Sequence, residues 1–291
     1  MRARLALLAT ALLFSTGGAA VKACSLGSWQ VAAFRSAFAV AALLIAVPSA
    51  RARWTPPVFV VGVSQAATMI LFVTATKLTT AANAIFLQST APLYVLVLAP
   101  LVLREPVRRT DVVFLVAFVV GLCTIFFADA PAAATAPNPA LGNVLAVASG
   151  VTWALTVIGF RWTAREGVGL GTTWLAGNLI VMLIGLPMAL PVGGATATDW
   201  TIIAFLGVFQ ITLAYAFMSI GMREVPALEA SLIMLVEPAL NPVWAWLVHG
   251  ERVGAATLAG GAMIVATTAA KTIVDARRYP GAMPASARNA K

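Results

Sequence analysis

The chain is laid out as long apolar runs separated by short polar gaps. Ten such runs lie at roughly 5–23, 29–50, 57–76, 81–103, 110–128, 140–161, 170–191, 199–222, 227–248 and 254–274. A helix needs about 20 mainly apolar residues to cross a bilayer, and each run meets that length. Their alanine, leucine and glycine content fits helices, whereas strands of a membrane barrel would place polar residues at alternate positions. Most gaps are short. The longest, 129–139, is rich in alanine and proline and leaves no room for a soluble catalytic domain. The pattern predicts an all-α membrane protein with ten transmembrane helices.

Composition agrees with this pattern. Of the 291 residues, 61% are apolar and 10% are charged, against about 45–50% and 25% in soluble domains. So few charges cannot cover a soluble surface of this size. That argues against a cytosolic enzyme, a secreted domain and a disordered chain. The net charge of +9 comes from residues in the gaps, without a basic tract, so it reads as an orientation signal rather than a nucleic-acid footprint. With the N-terminus in the cytoplasm, fifteen of the nineteen Lys and Arg fall on the inner side. The outer side takes Lys22, Lys77 and Arg252, and Arg35 lies inside a run. This predicts a multi-pass protein of the inner (plasma) membrane with both termini cytoplasmic.

Two features near the N-terminus were weighed against that reading. Arg2 and Arg4 ahead of an apolar run resemble a signal peptide, and Ala23–Cys24 resembles a lipoprotein cleavage site. Lys22 beside that site, with further apolar runs following, favours a retained first helix. Cys24 and Cys123 show no metal-ligand spacing and no disulfide framework.

The chain also repeats itself. At an offset of 146 residues Lys77 meets Arg223, Ala84 meets Ala230, Pro92 meets Pro238, Glu105 meets Glu251 and Val107 meets Val253; at 139, Phe14 meets Trp153 and Lys22 meets Arg161. The predicted units are a first five-helix repeat at 1–128, an outer linker at 129–139, a second repeat at 140–275 and a basic cytoplasmic tail at 276–291. Five crossings is an odd number, so the second repeat enters the membrane from the opposite face. Inverted repeats of this kind belong to secondary transporters, because two packings of the halves open a central cavity to either side in turn.

Two stretches carry a family resemblance. One runs from Ala81-Ala82-Asn83-Ala84 through Ala91-Pro92 to Leu103-Arg104-Glu105-Pro106. Its second copy runs from Ala227-Leu228-Glu229-Ala230 through Glu237-Pro238 to His249-Gly250-Glu251-Arg252. With the ten runs and the inverted repeat, they resemble the ten-helix EamA-type exporters of the drug/metabolite transporter superfamily, and within it the amino-acid exporters of the YddG type. The resemblance implies alternating-access export of amino acids or related small metabolites. A multidrug exporter of lipophilic cations on the same fold is the alternative it also implies. A polytopic membrane protein without transport activity is the remaining reading.

The residues suggest where a substrate would sit. Glu237 is the midpoint of its run, about 15 Å of helix from either end. A midplane carboxylate costs about 3 kcal/mol or more, so it must face a cavity or a partner. It could hold a substrate ammonium group or a coupling proton, or its carboxyl could satisfy backbone donors freed where Pro238 interrupts the helix. Pro92 and Pro238 mark helix breaks at equivalent places, the best sequence pointer to a midplane site.

Helical periodicity groups Gln88 on one stripe with Met234, Glu237 and Asn241 on its counterpart. It likewise groups Gln65, Met69 and Phe72 with Tyr215 and Met218. Trp153 and Phe14 complete the expected cavity wall. For any single Gln or Asn the competing reading is an interhelical hydrogen bond.

Arg35 lies about 9 Å from the outer end of its helix. It could snorkel to the interface, or act as a charge partner for Glu237 or a substrate carboxylate. Glu105 and Glu251, beside loop arginines, read as surface ion pairs or helix-end contacts. Small-residue stripes at Ala117 and Gly121, and at Ala262, Ala266 and Ala270, suit close helix packing inside the chain or in a homodimer.

An enzymatic reading finds little support. His249 is the one histidine, and HExxH, GxSxG and Walker-type motifs do not occur. The expected partners are a small-molecule substrate and the lipid bilayer, with no cofactor, no metal and no nucleic acid.

Overall fold

A computed structural model describes residues 2–52, 54–103, 109–127, 135–165, 167–224 and 233–278. Within them every regular element is helical. In chain order these are α1 (Arg2–Ser15), α2 (Gly17–Ala23), α3 (Ser28–Ala46), α4 (Pro56–Leu78), α5 (Ala81–Gln88), α6 (Ala91–Leu103) and α7 (Arg109–Phe126). There follow α8 (Pro139–Arg165), α9 (Leu170–Ala189), α10 (Ala197–Phe205), α11 (Ala214–Glu224), α12 (Val236–His249) and α13 (Ala255–Arg278). A π-helical stretch, Leu206–Leu213, joins α10 to α11. Among the described residues six helices are long and apolar enough to cross a membrane: Arg2–Ala23, Ser28–Ala46, Pro56–Leu78, Pro139–Phe160, Leu170–Ala189 and Ala197–Gly221. Of the remaining helices α13 has 24 residues and the others 18 or fewer.

Local chemistry sets the boundaries. Thr80 caps α5 by accepting from the Asn83 amide at 3.2 Å. Thr196 and Asp199 cap α10 reciprocally, each taking the other's backbone N–H. Gly250, at φ 65°, ends α12 in the left-handed conformation that glycine adopts at no steric cost. Pro92 has no N–H, and its ring would clash with the Gln88 carbonyl; the helix accordingly stops at Gln88 and restarts at Ala91. Ahead of Pro238 a turn at Leu235 plays the same part. Ser89 and Leu235 are 146 residues apart, the offset of the sequence repeat.

α4 packs on α8 and α9, α3 on α9 and the π stretch, α1 on α11 and α12, α5 on α8 and α12, and α7 on α13. A hydroxyl ladder ties α4 to α8: Thr68 Oγ1 donates to Thr152 Oγ1 at 2.9 Å and Thr156 Oγ1 to Ser64 Oγ at 3.1 Å. The small-residue stripes divide. Gly121 lets α7 meet the backbone of Gly260 and the side chain of Ile264 on α13, while Ala262, Ala266 and Ala270 face outward.

Several polar chain ends converge at one end of the bundle. The Lys22 ammonium lies 2.8 Å from the Glu251 carboxylate, and both side chains are almost fully buried. Lys22 also donates to the Thr135 carbonyl at 2.5 Å. Glu251 accepts in addition from the Ala81 amide at 2.9 Å and from the Thr135 hydroxyl. Asp199 takes the Ser25 amide at 2.6 Å, the Ser25 hydroxyl at 2.8 Å and the Thr196 hydroxyl at 2.7 Å. Lys77 donates to the Cys24 carbonyl. Of the two expectations for Glu251, the helix-end contact is present, to the first amide of α5, and the surface ion pair is corrected to a buried one. Its partner is Lys22, from the far end of the sequence, and the pair is out of water because the ends of α2 and α12 close over it. Glu105 lies outside the described residues.

Candidate functional site

A cavity of about 160 Å³ opens in the middle of the bundle. α1 contributes Phe14, α3 Arg35, α4 Gln65, Thr68, Met69 and Phe72, α5 Ile85 and Gln88, and the break after it Ser89. α8 contributes Trp153, α9 Trp174, the π stretch Gln210 and Ile211, α11 Tyr215, and α12 Glu237. The walls thus come from both halves of the chain, at the level where the helices are interrupted.

Of the residues read from the sequence, Gln65, Met69, Phe72, Gln88, Trp153, Tyr215, Glu237 and Arg35 meet at this cavity, with Phe14. Met234 and Asn241 are not among its walls. Asn241 is buried against α2, where a Cβ on Gly18 would lie 2.5 Å from its Oδ1, so that glycine is what lets the amide fit. Met234 immediately precedes the turn at Leu235. Pro92 and Pro238 each follow a break and do not line the cavity themselves.

Arg35 takes a different place from the interface to which a snorkelling side chain would reach. It is 4% exposed, and its Nε is buried without a partner. α3 lies close against the π stretch at this point: a Cβ on Gly207 would stand 2.5 Å from the Arg35 carbonyl. The guanidinium lies in the cavity wall.

The cavity's charges lack partners. Among the described residues neither Arg35 nor Glu237 has a hydrogen-bond or ion-pair partner, although Tyr215 lies within electrostatic reach of both. Both amide atoms of Gln65 and the Oε1 of Gln210 are also buried and unsatisfied. Buried polar groups are nearly always paired, so a cluster of exceptions calls for an explanation.

One wall is aromatic. Trp174 stacks on Tyr215 with ring centroids 3.6 Å apart and planes at 16°. Phe14 meets Tyr215 edge-on at 5.3 Å, and Trp153 stacks on Trp174 at 6.2 Å. The arrangement can hold a small amphipathic molecule, with two separated charges for polar ends and a rigid apolar face. Among the described residues no group of His, Cys, Asp and Glu could hold a metal ion.

Trp174, Thr68, Ile85, Ser89, Gln210 and Ile211 line the cavity without having been singled out from the sequence. Gln210 and Tyr215 are five residues apart, so on an α-helix they would point in different directions. In a π turn, which bonds i to i+5, they lie above one another. No proline marks that stretch in the sequence.

The model of a family described as EamA-like transporters matches residues 1–127 and 140–270. The threonine/homoserine exporter RhtA of Escherichia coli K12 is 27% identical over 222 residues, spanning 75% of this chain and 71% of that one. An uncharacterized transporter of Clostridium kluyveri is 25% identical over 212 residues, 71% of this chain and 67% of its own. One of Archaeoglobus fulgidus is 26% identical over 208 residues, 68% and 70% respectively. A solved crystal structure superposes with a TM-score of 0.63 at 21% identity, covering 94% of this chain and 98% of the other, which is a likeness of fold.

Proposed function

The chain belongs to the EamA-like transporter family, and from that premise we propose that it is a secondary exporter of amino acids or related small metabolites, working by alternating access around the central cavity. It is a membrane transporter and not an enzyme. The observation that carries the finer reading is the cavity itself. Both matched stretches line it, and it presents one unpaired cation and one unpaired anion. The naming of one relative for threonine and homoserine export supports an amino-acid cargo.

Ten crossings in two inverted repeats would explain the packing. The third run on the sixth (α4 on α8) answers to the eighth on the first (α11 on α1). The second on the seventh (α3 on α9) and the fifth on the tenth (α7 on α13) map onto themselves when the repeats are exchanged. Two interchangeable half-bundles can rock between two equivalent packings, and the cavity between them then faces each side in turn. With fifteen Lys and Arg inside against three outside, both termini lie in the cytoplasm, and the Lys22–Glu251 cluster forms the outer end.

In this reading Glu237 receives the substrate ammonium group, and the Phe14–Tyr215–Trp174–Trp153 wall holds the apolar part of the substrate. The test is counterflow of labelled amino acids into proteoliposomes holding the purified protein. Accumulation that Glu237→Ala abolishes supports the reading; no accumulation of any amino acid overturns it. An aromatic wall beside a carboxylate also suits lipophilic cations. Efflux of such a cation without amino-acid counterflow would establish that second reading instead.

A further inference from the structure

We infer that Arg35 is the carboxylate subsite of the cavity, so that with Glu237 it selects cargo carrying both a free carboxylate and a free ammonium group. This rests on the exporter reading above and narrows its substrate class to zwitterions. It also gives Arg35 a role in specificity.

Three observations lead there. First, Arg35 is 4% exposed and lines the cavity, and its guanidinium has no partner among the described residues. A guanidinium carries five N–H donors in a fixed fork and stays charged. Burying it without an acceptor is costly, so such a group is retained in a protein interior where an anion comes to it. Second, Glu237 lines the same cavity and does not close on Arg35. Two opposite charges held apart in a site of low dielectric form a fixed dipole, which a small molecule with the opposite dipole complements end to end. Third, the close packing at Gly207 fixes the backbone carbonyl of Arg35 against the π stretch that also presents Gln210. The backbone that carries the guanidinium is therefore held in place before cargo arrives.

A carboxylate binds such a fork through two parallel hydrogen bonds. An amine without a carboxylate satisfies Glu237 but leaves the guanidinium buried and unpaired. An N-acylated acid leaves Glu237 unpaired instead. A permanent lipophilic cation meets the field of Arg35 as a like charge. A site built around a charge rejects analogues lacking its counterpart far more strongly than a site that only measures size.

The test uses two probe series in proteoliposomes with the full chain. One is phenylalanine, phenethylamine, phenylalaninamide and N-acetylphenylalanine; the other is threonine with its amine, amide and N-acetyl derivative. We expect counterflow of at least one parent amino acid, with its three derivatives at least about tenfold weaker. Arg35→Gln should lose the amino acid by a similar factor and narrow its advantage over the amine, while Arg35→Lys retains part of the preference. Equal transport of amino acid and amine by the native protein overturns the carboxylate subsite and leaves the exporter reading standing. So does an Arg35→Gln variant that folds and keeps the full preference. If neither parent is carried, the same four-member series is built on whichever amino acid the counterflow panel accumulates; accumulation of none overturns both readings. The derivative series on the native protein needs no variant, so a folding defect in Arg35→Gln does not blunt the test.

Discussion

Lys22 and Glu251 at one end of the bundle, and Arg35 and Glu237 in its middle, are all withdrawn from water, but their surroundings differ. At the end, Lys22 reaches Glu251 at 2.8 Å and the Thr135 carbonyl, while Glu251 also takes the Ala81 amide and the Thr135 hydroxyl. In the middle, Arg35 and Glu237 share a cavity and have no partner among the described residues. The first pair satisfies itself and joins distant parts of the chain, which is a structural role. The second leaves hydrogen-bonding capacity that no described residue takes up. A buried charge is informative by what it lacks as much as by where it lies.

This contrast can be broken experimentally. The largest effect should come from Glu251→Ala, which strands the Lys22 ammonium; we expect a loss of about 3–5 kcal/mol in unfolding free energy. Detergent-solubilised protein unfolded by heat or denaturant would report it, and a loss below about 1 kcal/mol would make the pair merely incidental. Adding Lys22→Met to Glu251→Leu should recover about 2 kcal/mol or more, because an apolar pair replaces an ionic one. Arg35→Met should go the other way, leaving stability unchanged or raising it by up to about 2 kcal/mol, with amino-acid counterflow lost. Destabilisation there as large as at Glu251 would erase the distinction between the two regions. The smallest effect should be Thr68→Val, which cuts the α4–α8 hydroxyl ladder at about 0.6 kcal/mol and should leave counterflow nearly intact.

Much of this was legible in the sequence, for identifiable reasons. Apolar runs give helices, and Pro92 and Pro238 announce the breaks at Ser89 and Leu235, because proline removes a specific backbone bond. Gln65, Met69 and Phe72 could be grouped because α4 is unbroken and its periodicity holds from end to end. Periodicity carries less weight where the helix is interrupted, as at Leu235 between Met234 and Glu237. The interruptions at Thr16 and at Leu206–Leu213 have no proline to announce them. Trp174 could not be placed because the inward face of α9 depends on the neighbours of that helix. Arg35 illustrates the same limit. Its distance from the helix end permits snorkelling, whereas the folded chain buries it in the cavity wall.

The π stretch also bears on how this segment tolerates change. Each residue advances an α-helix by about 100°, so the wider turn at Leu206–Leu213 acts as a phase shift between α10 and α11. Substitutions along it change chemistry one position at a time. Deleting a single residue would restore the α-helical register and rotate α10 as a whole against α11. Gln210 would lose its alignment with Tyr215, and Gly207 would no longer sit beneath Arg35. What this segment encodes is a length as well as a composition, and insertions or deletions here should be far less tolerated than replacements.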